Sequence, residues 1–210
     1  MRVLMAVPTY ENVSTETFCA LWRIASSVYD TDIEILEEPL FLKGHGVQRA
    51  RNDIALYAVE NGYDKLFTVD SDVIPPDNAL LLLCQGETDV VVGAYANRYD
   101  GRMGYSTMYL KDEDPNLCTN DNILSMEKIA SLPKGRVELN GAGMGCALID
   151  VDIFKNMEYP YFFWPEKMHP NGDRWECSED MYFCQHITPL GYSVKLDTRV
   201  ICKHKMSKVI

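Results

Sequence analysis

Short apolar segments alternate with longer segments of helical periodicity over roughly the first 95 residues of this chain. The apolar segments predict strands at residues 3–7, 32–37, 66–69 and 89–94. The segments between them predict helices at about residues 14–29, 47–61 and 77–84. Strands that alternate with helices pair in parallel, because each helix carries the chain back to the same edge of the sheet. The sequence therefore predicts an α/β fold with a doubly wound, mostly parallel sheet flanked by helices.

The second half of the chain follows a less regular pattern. It predicts irregular structure or a hairpin at residues 97–108 and a polar loop at 111–122. A strand at 146–150 and a short helix at 151–157 follow, and then an aromatic loop at 159–175 that lines a cleft. The last predicted elements are a longer helix at 178–188 and two strands at 193–196 and 199–202. No internal repeat or linker is found, so the 210 residues are predicted to form a single domain.

Composition limits the setting and the partners. No run of about 20 apolar residues is present, so no membrane span is expected, and the apolar start is too short for a signal peptide. Seven cysteines without a pairing pattern favour a reducing, cytoplasmic location. A net charge of −11 makes sequence-independent binding to nucleic acid unfavourable.

Two aspartates follow the predicted strand at residues 66–69, in the run Asp70-Ser71-Asp72. In open α/β sheets the carboxyl ends of the strands are where ligands bind. Two neighbouring carboxylates repel each other unless a proton or a cation intervenes, and a divalent cation that shares its ligands with substrate phosphates would relieve that repulsion. A solvated turn is the alternative interpretation, because Asp and Ser also form turns.

Other segments lie at the starts or ends of the predicted strands and helices. They are Val7-Pro8-Thr9-Tyr10-Glu11, Arg49-Ala50-Arg51-Asn52, the glycine-containing run from Asn140 to Cys146, Ser178-Glu179-Asp180 and Lys203-His204. Together with the Asp-x-Asp run, these segments resemble the GT-A fold glycosyltransferases, especially the inverting, family 2-like enzymes that use nucleotide sugars. The resemblance extends over residues 2–205, with a nucleotide-binding half at about 1–95 and an acceptor-side half at about 96–210.

The resemblance implies a metal site and a donor site. Asp72 would coordinate Mn²⁺ or Mg²⁺ on the donor diphosphate, with Asp70 supporting the metal or holding the ribose, and His204 would complete the metal site. The remaining residues implied for the nucleotide sugar are Pro8, Thr9, Tyr10, Glu11, Glu37, Arg49, Asn52, Ser71 and Gly143. The acceptor is a hydroxyl compound that the sequence does not identify.

The resemblance also implies that Asp180 is the general base, with Glu179 as its neighbour or substitute. Sugar transfer needs a cation to stabilise the leaving diphosphate and a carboxylate to take the proton of the acceptor hydroxyl. A helix amino end lowers the pKa of a carboxylate there, whereas burial and a neighbouring acid raise it. The sequence leaves the outcome for Asp180 open.

Each of these residues also has an interpretation without function. Glu179 and Asp180 are also explained as charges that stabilise a helix start, and His204 as part of a solvated tail. Arg49 and Arg51 are also explained as exposed helix charges, and the glycine run as a bulge before a strand. The cysteines and histidines lack the spacing of a zinc site.

Two other functions compete with glycosyl transfer. A sugar-phosphate nucleotidyltransferase also places acids on an α/β sheet, but its phosphate loop is glycine-rich, and no glycine follows the first strand here. A catalytically inert module that binds nucleotide sugars is the other alternative.

Overall fold

The computed structural model describes residues 1–35, 38–87, 89–97, 105–111, 123–168, 174–176 and 178–205. The strands are β1 (Val3–Thr9), β2 (Leu40–Lys43), β3 (Lys65–Val69), β4 (Val73–Ile74), β5 (Val90–Ala94), β6 (Tyr105–Leu110), β7 (Ile123–Ser125), β8 (Arg136–Ala142), β9 (Cys146–Asp150), β10 (Glu166–Met168), β11 (Arg174–Glu176), β12 (Val194–Ile201) and β13 (Lys203–His204). The helices are α1 (Thr15–Ser27), α2 (Val47–Glu60), α3 (Ala79–Leu83), α4 (Met126–Ser131), α5 (Asp152–Asn156) and α6 (Glu179–Ile187), followed by a 3₁₀ turn at Thr188–Leu190.

Nine strands of the described chain form one mixed sheet in the order β2-β1-β3-β9-β5-β12-β8-β6-β7. Strands β2, β1, β3, β5, β12 and β6 run in one direction, and β9, β8 and β7 run in the other. The predicted α/β class with a mostly parallel sheet is therefore confirmed. The carboxyl ends of β1, β3 and β5 meet at one edge of this sheet.

Side-chain caps fix the starts of three described helices, and at α4 the Ser125 hydroxyl accepts from the Lys128 amide. Ser14 accepts a hydrogen bond from the Thr17 amide at the start of α1, and Ser178 accepts one from the Met181 amide at the start of α6. Each cap satisfies a backbone donor that the helix itself cannot pair. The cap at Ser178 therefore fixes the backbone positions from which the side chains of Glu179 and Asp180 extend.

The second strand lies later in the chain than predicted. Of residues 32–37, Glu34 makes one isolated bridge to Arg2, and residues 36 and 37 lie outside the described chain. The strand forms at Leu40–Lys43, where half-buried Leu40 and Leu42 alternate with exposed side chains. The alternation in 32–37 was a misleading signal, because a strand also needs a partner in register, and β1 pairs with residues 40–43 over Ala6 to Thr9.

Further elements differ from the prediction, among them the following three. The glycine run is partly strand, since β8 extends to Ala142, and Gly141 and Ala142 pair with β6. The two predicted final strands are one strand, β12, with an irregular register against β5 after Leu196. A short pair, β4 with β13, was not predicted. All three differences depend on pairing between residues far apart in the chain, which the hydrophobic periodicity of a sequence does not indicate.

The core lies on both faces of the sheet. Its largest fully buried side chains include Phe67 on β3, Leu80 on α3, Phe154 on α5 and Phe183 on α6. Each Å² of apolar surface that these side chains remove from water stabilises the fold by about 25 cal/mol. Within the described residues, no helix is long and apolar enough to cross a membrane.

Candidate active site

The two aspartates of the Asp-x-Asp run directly follow β3, as the sequence predicts. The Asp70 amide donates to the Gly145 carbonyl at 2.9 Å, which joins the end of β3 to the start of β9. The side chains of Asp70 and Asp72 are 27% and 26% exposed. Both carboxylates are thus partly accessible at the edge of the sheet where a ligand is expected.

His204 lies beside Asp72, although 132 residues separate them in the chain. The β4–β13 pairing places His204 opposite Val73, and the Lys205 amide donates to the Asp72 carbonyl. His204 Nε2 is 3.4 Å from Asp72 Oδ1, and Nδ1 is 2.7 Å from the Ala96 carbonyl oxygen. Because a carbonyl only accepts, Nδ1 is the donor in this contact, and Nε2 is the ring nitrogen that faces Asp72.

This pair has the chemistry of a partial metal site. A histidine that donates through one nitrogen to a backbone carbonyl, and turns the other towards a carboxylate, is oriented as metal-binding histidines are. The described chain holds no group of three or more His, Cys, Asp or Glu side chains arranged to bind an ion by themselves. Binding of Mn²⁺ or Mg²⁺ by this pair stays a prediction.

Arg51 contacts three carboxylates from two other parts of the chain. Its guanidinium is 3.0 Å from Asp70, 3.4 Å from Glu179 and 3.2 Å from Asp180, and its side chain is only 4% exposed. Burial lowers the pKa of Arg51, but the carboxylates of Asp180, Asp70 and Glu179 outweigh it and raise the pKa above its ordinary value. Arg51 therefore stays charged and links the end of β3 to the start of α6.

Asp180 is a buried carboxylate next to this guanidinium. Its Oδ2 accepts a hydrogen bond from the Met144 amide at 3.0 Å. Its Oδ1, although close to Arg51, accepts no hydrogen bond from any described residue, and an unsatisfied buried oxygen is uncommon in a folded protein. Burial raises the pKa of Asp180 to about 8, against the opposing effect of Arg51 and with help from Glu179 and Asp70. Burial and the neighbouring acids thus outweigh the attraction of Arg51 and the hydrogen bond from the Met144 amide.

Tyr95 contacts both the glycine run and His204. Its hydroxyl accepts a hydrogen bond from the Gly145 amide at 3.0 Å, and its ring lies edge-on to His204 with centroids 5.5 Å apart. A Cβ at Gly143 would come within 2.4 Å of the Tyr95 hydroxyl, and one at Gly145 within 2.9 Å of Asp70 Oδ2. The glycines are required here because the backbone passes too close to Tyr95 and Asp70 for any side chain.

The predicted nucleotide loop after β1 lies beside the Asp-x-Asp run. The Ser14 amide donates to the Ser71 carbonyl at 2.8 Å, and the buried Thr9 hydroxyl donates to the Asn12 carbonyl at 3.0 Å. Pro8 is buried as well, whereas Tyr10 and Glu11 are exposed. These residues are placed at the same edge of the sheet as Asp70, and their role in nucleotide binding stays a prediction.

Two predicted residues, Arg49 and Asn52, lie outside the cluster of charged groups. Arg49 is 71% exposed and 3.6 Å from Asp53. The Asn52 amide group is buried, accepting from the Tyr161 and Phe162 amides and donating to the Phe162 carbonyl, so it holds a loop in place. Glu37 falls outside the described residues. Their assignment to the nucleotide sugar stays a prediction.

Arg51 is the residue that the sequence interpretation missed. It was weighed as an exposed helix charge, but it lies three, four and seven positions before Ile54, Ala55 and Ala58 on the buried face of α2. An arginine in phase with an apolar face is expected to be buried and paired. The helical spacing between Arg51 and these buried residues is the sequence signal that identifies it.

Comparison with known proteins supports the fold. No protein-family model matches the sequence, and no curated protein matches it either. Among solved structures, A197 from STIV is 18% identical with a TM-score of 0.62, over 99% of this chain and 87% of that one. GalNAc-T7, solved with UDP, GalNAc and Mn²⁺, is 11% identical with a TM-score of 0.54, over 99% of this chain and 44% of that one. At these identities the similarities establish the GT-A-like fold alone.

Proposed function

We propose that this protein is a metal-dependent, family 2-like glycosyltransferase that moves a sugar from a nucleotide-diphosphate sugar to an acceptor hydroxyl, with inversion at the anomeric carbon. One observation carries the proposal. Asp72 and His204 face each other at the ligand-binding edge of a GT-A-like sheet, and Arg51 ties the adjacent Asp70 to the buried Asp180. This arrangement supports a cation position at Asp72 and His204 and a base at Asp180.

The donor half of the proposal rests on Asp72 and His204. These two side chains would hold Mn²⁺ or Mg²⁺, with the donor diphosphate supplying further oxygen ligands. When bound, the cation would stabilise the negative charge that develops on the leaving diphosphate. GalNAc-T7, whose fold is similar, was solved with UDP, a sugar and Mn²⁺, and this supports the same class of donor and metal here.

The acceptor half rests on Asp180. Its carboxylate takes the proton from the acceptor hydroxyl as the oxygen forms a bond to the anomeric carbon and the bond from that carbon to the diphosphate breaks. The products are a glycoside and a nucleoside diphosphate. The hydrogen bond from the Met144 amide fixes one carboxylate oxygen, and the other oxygen lies 3.2 Å from Arg51. A reducing, cytoplasmic setting agrees with the free thiols of Cys19, Cys84, Cys146, Cys184 and Cys202.

We expect activity to increase with pH through an apparent pKa of about 8, the value to which burial raises Asp180. A base acts when it is deprotonated, so a carboxyl group with a raised pKa is inactive below that pKa and active above it. The measurement is kcat/KM for release of nucleoside diphosphate from nucleotide sugars with Mn²⁺, from pH 5.5 to 9.5.

The same assay separates the competing functions. Release of pyrophosphate from a nucleoside triphosphate and a sugar phosphate would support a nucleotidyltransferase instead. Binding of nucleotide sugars without release of any product, across a broad set of acceptors, would support an inert module. A rate independent of pH between 6 and 9 would remove Asp180 as the base.

A further inference from the structure

Tyr95 lies directly after the carboxyl end of β5 and is only 5% exposed. Two glycines between β8 and β9 leave room for it, because a Cβ on either Gly143 or Gly145 would collide with its hydroxyl group. The hydroxyl accepts a hydrogen bond from the Gly145 amide at 3.0 Å. The far end of this buried side chain is therefore anchored to the backbone that leads into β9.

The segment that carries Tyr95 also holds the segment that carries His204. The Ala94 carbonyl accepts a hydrogen bond from the Cys202 amide at 2.7 Å, and the Ala96 carbonyl oxygen is 2.7 Å from His204 Nδ1. Between these two contacts the rings of Tyr95 and His204 meet at 87°, with centroids 5.5 Å apart, which is a favoured arrangement of two rings. Residues 94–96 thus contact residues 202–204 through both backbone and side chains.

The orientation of His204 depends on these side-chain contacts. Strand β13 pairs with β4 over two residue pairs, and this pairing by itself leaves the imidazole free to turn about its side-chain bonds. The hydrogen bond to Ala96 fixes one ring nitrogen, and the Tyr95 ring stands against the imidazole while Nε2 faces Asp72 at 3.4 Å. A histidine that neighbouring groups already hold loses less freedom when a cation binds.

We propose that Tyr95 is a positioning residue of the cation site: its ring holds the His204 imidazole in the orientation that faces Asp72, and its hydroxyl anchors that ring to the Gly145 amide. This inference rests on the proposed metal-dependent transfer. Tyr95 acts through His204, because its hydroxyl is bonded to Gly145 and only its ring contacts the histidine. A tyrosine that only filled the core would stabilise the fold without changing the affinity for a cation.

The test measures the Kd for Mn²⁺ by calorimetry of UDP and GDP at a series of Mn²⁺ concentrations. Tyr95→Leu removes the ring and should weaken Mn²⁺ by about tenfold, as the loss of a group that orients a metal ligand does. Tyr95→Phe keeps the ring but loses its anchor, and should weaken Mn²⁺ by about threefold, the effect of one hydrogen bond. The control is Tyr63→Leu, because Tyr63 is 3% exposed but precedes β3, at the opposite end of that strand from Asp70. Its Kd should equal that of the unaltered protein.

The outcomes separate this inference from the proposed function. A purely structural role would give Tyr95→Leu fewer binding sites of unchanged Kd, and that result would overturn the inference while the donor site stands. If Tyr95→Leu does not fold, Tyr95→Phe decides alone, and a Kd equal to that of the unaltered protein would overturn the inference. If neither nucleotide binds to the unaltered protein at any Mn²⁺ concentration, the proposed function is wrong and this inference with it.

Discussion

Replacing Asp180 by asparagine should reduce turnover by about 10²- to 10⁴-fold, which is the contribution typical of a general base. The amide is close in size to the carboxylate and can still accept from the Met144 amide, but it cannot take a proton from the acceptor. Affinity for nucleoside diphosphate should be unchanged, because Asp72 and His204 are untouched. The measurement is kcat with saturating donor, together with calorimetry of the nucleotide.

A matched control addresses the alternative that Asp180 is only a helix charge. Asp152 also lies in the first turn of a helix, where it pairs with Lys155 on the exposed surface. If a charge at a helix start were the whole role, Asp152→Asn and Asp180→Asn would each cost about 0.3–1 kcal/mol of stability and leave turnover intact. Turnover of Asp180→Asn within a few-fold of the unaltered protein would remove Asp180 as the base.

Arg51→Met should have the largest effect on stability. The substitution leaves Asp70, Glu179 and Asp180 close together without the guanidinium that neutralises them. Removing one partner of a buried ion pair typically costs about 3–5 kcal/mol, because the remaining charge is buried and unpaired. Urea denaturation would measure this loss as a lower transition midpoint with an unchanged slope.

Arg49→Met is the control for this substitution, because Arg49 lies on the same helix but is 71% exposed. Its exposed ion pair should contribute no more than about 0.5 kcal/mol. Arg51→Lys should be intermediate, since an ammonium group keeps the charge but cannot span three carboxylates. Equal, small losses for Arg51→Met and Arg49→Met would show that the three acids do not depend on Arg51.

The residues found from the sequence are those whose position follows from local pattern. Asp70 and Asp72 follow a buried strand, and Asp180 follows a serine cap, so the strand and the helix carry them to predictable places. Contacts between distant segments were not available from pattern. The β4–β13 pairing that brings His204 to Asp72 involves two residues on each strand, which is too short to show a period.

The role of α2 shows the same limit. The sequence predicts a helix there, with Arg49 and Asn52 as site residues. In the structure, the buried face of α2 directs Arg51 towards the acids of the site and Asn52 towards the loop at Phe162. Which polar residue of a helix enters a site depends on what packs opposite it. The acids opposite Arg51 come from β3 and α6, which no local pattern connects to α2.

The most direct test of the account is calorimetry of UDP and GDP with and without Mn²⁺. If Asp72 and His204 hold a cation that binds the diphosphate, one nucleotide should bind with Mn²⁺ and lose most of its affinity in EDTA. Asp72→Ala should bind as weakly with Mn²⁺ as the unaltered protein does without it, and Asp77→Ala, at an exposed acid in the next loop, should bind normally. Equal affinity with Mn²⁺ and with EDTA would contradict the account.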